Sequence, residues 1–227
     1  MKIIMWSVSV FSLIVTCFVL QFLPDKIPMH YDLNGNIDRW GNKTESLIFP
    51  IVILFVCLLW TLFIAVFEKK LKKAKTEKES MEAKSNIKIL SIVGICEAVL
   101  FSIMHFVSMY SSYNEAVKGM DKANINISNV SCFLLGVMFI VLGNVIPKSK
   151  RNSSVGIRTS WSMYNDTTWR KSNLFGGIAM IVTGILTALT SVFVSGGLST
   201  LLLIVYLLAF TVACIVYSKL VYEQEKN

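Results

Sequence analysis

With 227 residues the chain has room for one or two domains, and with 54% hydrophobic content its class is decided by how the apolar residues are distributed. The formal net charge of +8 is a weak argument for nucleic-acid binding, because the cations gather beside apolar runs, within reach of anionic headgroups. Five cysteines, an odd number with no C-x-x-C spacing, argue against a disulfide framework or a metal site.

Six apolar stretches follow one another, near 3–23, 47–67, 87–110, 128–146, 174–194 and 201–218. Each approaches the roughly 20 residues that cross a hydrocarbon core of about 30 Å. Backbone in lipid must satisfy its own hydrogen bonds, and runs of this length do so as helices. Alternating segments of about ten residues, the mark of a membrane barrel, are absent. The expected fold is an all-α polytopic bundle of six transmembrane helices. Two regions are expected: an N-terminal two-helix region, 1–86, and a four-helix region, 87–227.

The first stretch is too long for an ordinary signal-peptide core, and no small-x-small site follows Leu23, so it reads as a retained helix. The next connection, 24–46, reads PDKIPMHYDLNGNIDRWGNKTES. Pro24 and Pro28 stop the first helix, and Asn34-Gly35 is a strong turn signal because both residues tolerate positive φ. Asp32, Asn34, Asn36 and Asp38 have calcium-loop spacing, but the sixth and twelfth positions counted from Asp32 hold Ile37 and Lys43 rather than Gly and Glu. They read as turn residues bonding nearby backbone, and no metal is expected.

The 68–86 connection holds seven lysines. Glu68 and Lys72 lie four apart in the order that supports a short helical extension. The segment reads as a solvated connector touching headgroups, or as a docking surface for an acidic partner. In the third stretch Glu97 stands near mid-span, where a charge costs about 2.5–3.5 kcal/mol on insertion scales. It is expected to face the bundle interior as a proton or ligand site, or as a polar contact between helices. His105 follows about 80° around the helix and about 12 Å along it, on the same broad face but out of direct reach.

Between the fourth and fifth stretches, 143–177 reads GNVIPKSKRNSSVGIRTSWSMYNDTTWRKSNLFGG. Arg158 and Arg170 are candidates to clamp a phosphate or carboxylate. Trp161 and Trp169 are expected to be interfacial anchors. Asn165, Asp166 and Thr167 read as a helix N-cap. Cations set the orientation: the 68–86 and 147–173 connections hold seven and six Lys/Arg, against three, two and none in 24–46, 111–127 and 195–200. By the positive-inside rule the first pair, and both termini, face the cytoplasm. Gly176-Gly177 and Gly196-Gly197 can permit close helix approach. No G-x-S-x-G, H-E-x-x-H, P-loop or G-x-G-x-x-G occurs, so no enzymatic activity and no cofactor are expected.

The 143–177 segment resembles the SdpI family of bacterial membrane proteins, whose pattern is G-N-x-x-P-K, N-x-x-x-G-I-R-T-P-W-T and V-W-x-x-T-H. Gly143, Asn144, Pro147, Lys148, Asn152, Gly156, Ile157, Arg158, Thr159, Trp161 and Trp169 match it. Ser160, Ser162 and Ser172-Asn173 depart from it. Leu23, Pro24, Ile27, Pro28, His30, Gly35 and Asp38 match L-P-x-x-I-P-x-H-x-x-x-x-G-x-x-D, a pattern of the N-terminal domain common in that family. The resemblance implies an immunity protein of a Gram-positive cytoplasmic membrane, protecting against a secreted SDP-type antimicrobial peptide. It also implies a signal-transduction role in which a small transcriptional repressor is held at the membrane. Peptide contact is expected at His30, Asp32, Gly35, Asp38, Glu97 and His105. Signature-loop residues Asn144, Pro147, Asn152, Gly156, Arg158, Trp161, Trp169 and Arg170, together with the lysine-rich connection, are expected to serve the inner face. Membrane lipids are expected partners, and direct nucleic-acid binding is not. The alternatives are a small-solute or proton-coupled transporter, or an envelope-maintenance protein.

Overall fold

The computed structural model describes residues 1–32, 35–152 and 154–226. Its helices are α1 (Lys2–Val19), α2 (Ile48–Lys73), α3 (Glu77–Lys118), α4 (Ile127–Val145), α5 (Asp166–Phe193) and α6 (Gly196–Lys226). All six are long and apolar enough to cross a membrane, the second and fourth together with their flanking turns. The protein is a multi-pass all-α membrane protein, and six crossings return the chain to the face from which it started.

Burial runs opposite to that of a soluble domain. In α1 the buried positions are Met5, Ser9, Ser12 and Thr16, which recur at helical spacing. Ile3, Phe11, Ile14 and Phe18 point outward, Ile3 being 79% exposed. Such a helix hides its small polar stripe against neighbours and gives its large apolar side chains to lipid. The hydroxyls do not weaken it. Ser9 Oγ donates to the Met5 carbonyl at 2.9 Å and Thr16 Oγ1 to that of Ser12 at 2.7 Å.

The helices form two groups of three. α1, α2 and α3 pack on one another, α4, α5 and α6 do the same, and α3 touches α4. A lysine-rich face holds the ends of α2 and α6 and the start of α3. The 68–86 segment, expected as a connector, is mostly helix: α2 continues to Lys73, only Ala74–Thr76 break it, and Thr76 caps α3 by accepting from Glu79 N. α3 has 42 residues and is therefore about 63 Å long, so it projects well beyond the hydrocarbon on this face.

The opposite face carries an element that the apolar pattern did not show. Lys26–Tyr31 (β1) and Ile37–Asn42 (β2) pair as an antiparallel hairpin, with Ile27 opposite Gly41 and Tyr31 opposite Ile37. Gly35 sits at φ 78° and donates to the Asp32 carbonyl at 3.0 Å. Asn34, the other half of the turn signal, lies outside the described residues. The hairpin is held down by main-chain bonds to the segment after α3: Ile37 N donates to the Asp121 carbonyl at 2.9 Å and Ala123 N to that of Gly35 at 2.8 Å. Leu23 and Ile27 pack on Met109 of α3 beneath it.

Candidate functional site

Polar groups gather in three places. On the hairpin face, His30 Nδ1 and Asp38 Oδ1 lie 2.6 Å apart as an exposed pair across the strands. Asp32 behaves as a turn residue, its Oδ1 accepting from Asn36 N at 2.8 Å. Asp32 and Gly35 border an open cleft of about 1150 Å³ between the hairpin and the start of α6, also lined by Tyr31, Lys122, Asn126 and Thr200. His30 and Asp38 are outside that lining.

Beneath this cleft lies a residue that sequence reasoning missed. Glu115 is fully buried, so Glu97 is not the only carboxylate sequestered on α3. Tyr31 Oη donates to it at 2.7 Å, Ser111 Oγ at 2.5 Å and the Asn124 amide at 2.7 Å. A buried carboxylate needs several donors, and these come from the hairpin, from its own helix and from the following loop. Burial, then the bond to Glu115, pushes the Tyr31 phenol well above its ordinary range. Ser112 Oγ also donates to the Pro28 carbonyl at 3.0 Å, so α3 grips the hairpin at two points. The sequence signal was spacing. Glu115 follows Glu97 by eighteen residues, five helical turns, and so lies on the same face.

Within the span, Glu97 accepts a hydrogen bond from Trp60 Nε1 of α2 and is partly buried. His105 is buried, bonded through Nε2 to Thr16 Oγ1 of α1 at 2.8 Å and stacked on Phe49 at a centroid distance of 5.4 Å. One helix thus carries two separate polar contacts, one to each neighbour. Glu97 and His105 are not brought together, nor is either in contact with His30, Asp32 or Asp38.

The third place is the 143–177 loop on the lysine-rich face, which folds on itself. Asn152 is buried; its Oδ1 accepts from Ser154 N at 2.7 Å and Val155 N at 2.8 Å, and its Nδ2 donates to two carbonyls. Gly156 takes φ 115°, and a Cβ there would collide with Asn173 Oδ1 and the Trp169 ring. Ile157 N donates to Asn173 Oδ1 at 2.7 Å, and Ser162 Oγ donates to the Ile157 carbonyl at 2.7 Å. Two departures from the family pattern, Ser162 and Asn173, are therefore interior ties of the loop. Asn165 caps α5 as expected, accepting from Thr168 N at 2.8 Å.

The expectation for Trp169 is corrected. It is 3% exposed and donates through Nε1 to the Ser149 carbonyl at 2.9 Å, so it is a core residue of the loop and not an interfacial anchor. Trp161 is partly buried. Asn144 is exposed and donates back to the Ile140 carbonyl of its own helix, and Pro147 packs against Gly177. Arg158 and Arg170 are both exposed, but only Arg170 borders the basic groove beside this loop, so the structure does not present them as one clamp.

Comparison with known proteins adds to this geometry. Residues 148–218 match the SdpI/YfhL protein family, and residues 8–54 match a domain of unknown function, DUF1648. Over 215 residues the chain is 21% identical to a protein named "Immunity protein SdpI" of Bacillus subtilis (strain 168), covering 90% of this chain and 91% of that protein. No solved structure matches.

Proposed function

From a chain that carries an SdpI/YfhL family region at residues 148–218 and a DUF1648 domain at 8–54, we propose a non-catalytic immunity protein of the bacterial cytoplasmic membrane. It protects the cell against a secreted antimicrobial peptide of the SDP type. The observation that carries this reading is similarity to an immunity protein through nine-tenths of both chains. The hairpin face is extracellular in this reading and the lysine-rich face cytoplasmic.

The peptide engages the hairpin face, at the exposed His30–Asp38 pair and in the cleft bordered by Asp32 and Gly35. α3 is the natural conductor from there, since its Glu115 holds the hairpin and its His105 and Glu97 hold α1 and α2. A signal reaches a repressor at the lysine-rich face only if the peptide binds two helix arrangements with different affinity.

Expression in a sensitive Gram-positive host, challenged with an SDP-type peptide while membrane potential is followed, tests the reading. Retained potential is expected, with protection lost in Glu97→Ala and reduced in His30→Ala. Killing that proceeds unchanged despite verified membrane insertion overturns it. Glu97-dependent solute uptake by vesicles would then favour a transporter.

A further inference from the structure

The groove beside the signature loop, about 600 Å³ in volume, lies between that loop and the projecting start of α3. Five cations border it, Lys78, Lys148, Lys150, Arg151 and Arg170, against two carboxylates, Glu82 and Asp166. Arg151 is committed: its Nε pairs with Asp166 at 2.9 Å and its guanidinium also donates to the Met163 and Tyr164 carbonyls. Four cations then face one carboxylate, and none of the four has an ion-pair partner among the described residues.

Excess charge alone would describe any solvated basic surface. Ser149 sets this groove apart. It is 6% exposed, borders the groove, and its hydroxyl has no hydrogen-bond partner among the described residues. An unpaired buried hydroxyl is unfavourable unless a ligand completes it. Its position is set from behind, because the buried Trp169 ring donates to the Ser149 carbonyl. The wall of the groove therefore holds an uncompleted donor beneath cations that have no ion-pair partner among the described residues, an arrangement suited to phosphate oxygens.

Depth identifies the source of that phosphate. Lys148 and Arg170 flank the ends of two spans, the first following α4 and the second one turn into α5. Glu82 lies five residues before Ile87, where the apolar part of α3 begins, hence about 7–8 Å beyond the hydrocarbon edge. Headgroups occupy about that depth on each side of a bilayer. We propose that this groove binds the phosphate of an anionic phospholipid headgroup, with Ser149 Oγ donating to one phosphate oxygen and Lys148 and Arg170 neutralising its charge. The proposal stands independently of the immunity reading.

The test uses the full chain purified in neutral detergent. Dioctanoyl phosphatidylglycerol, dioctanoyl phosphatidylcholine and inorganic phosphate are titrated separately, with bound lipid read by native mass spectrometry and by thermal shift. The phosphatidylglycerol is expected to bind and stabilise, the other two not. Lys148→Gln with Arg170→Gln should weaken it by about tenfold or more, whereas Lys69→Gln with Lys70→Gln, which removes equal charge from the end of α2, should change it little. Ser149→Ala should leave the melting temperature of the lipid-free protein unchanged or raise it while weakening the lipid, which keeps the test decisive if the charge variant fails to fold. Equal weakening by both charge pairs would mean diffuse surface attraction and overturn the site. Inorganic phosphate matching the lipid would overturn the lipid source, as would phosphatidylcholine binding equally well.

Discussion

Glu115 shows how much of this protein rests on single side chains in specific surroundings. The carboxylate was visible in the sequence but read as part of a connection, because α3 outlasts its apolar stretch by two turns. Of its donors, Ser111 and the Asn124 amide are close in the chain, but Tyr31 comes from the distant hairpin, so the complete site was not announced locally. Tyr31→Phe removes one donor and should cost about 1–3 kcal/mol of hairpin stability, read as faster hydrogen exchange of residues 26–42. The same bond should depend on pH in one direction. The folded phenol titrates above the unfolded one, so its contribution is complete below the ordinary tyrosine value of about 10 and is lost as pH climbs beyond it. Gly156 makes a parallel case on the other face. Its φ of 115° disfavours any side chain, and a Cβ would break the approach of Asn173. Gly156→Ala should destabilise by about 1–3 kcal/mol in thermal unfolding, with loss of protection at Ile157.

At the scale of the element, α3 and the α4–α5 pair follow different rules. Asn86, Gly94, Glu97, His105, Ser112 and Glu115 fall within about 100° of the α3 circumference, a single small and polar face that meets α1, α2 and the hairpin. That face was partly legible, since Glu97 and His105 were seen to share a side. Its partners were not, because Trp60, Thr16 and Tyr31 have no sequence relation to it. α4 and α5 instead meet through glycines. A Cβ on Gly136 would lie 2.6 Å from the Gly184 carbonyl oxygen, and one on Gly143 equally close to that of Gly177. Of the four glycines singled out by their pairing in sequence, Gly177 makes such an approach, whereas nothing lies within 4 Å of a Cβ on Gly197. Gly136→Ala should therefore destabilise the protein by about 1–3 kcal/mol, while Gly197→Ala should be close to neutral, compared by unfolding in the same detergent.

Across the whole molecule, two three-helix groups share a membrane and place a hairpin on one face and a lysine-rich, loop-capped surface on the other. The orientation proposed for these faces has a direct check with a membrane-impermeant maleimide on intact cells. Trp40→Cys should react from outside, and Lys78→Cys only after permeabilisation; the reverse pattern would invert the topology and with it the sites assigned to peptide and lipid phosphate. The number of spans, their length and the bias of cations were determined by the sequence alone, because lipid imposes an apolar run of about 20 residues on every crossing and Lys and Arg mark the loops between them. The cap of α5 and the turn at Gly35 were likewise local matters of one side chain or one φ. Which helix faces which, the burial of Trp169, the bond from Tyr31 to Glu115 and the hydroxyl of Ser149, unpaired among the described residues, were decided only by tertiary structure. Each depends on residues distant in the chain meeting inside a medium that cannot hydrogen-bond, where a polar group's environment is set by its neighbours and not by its own identity.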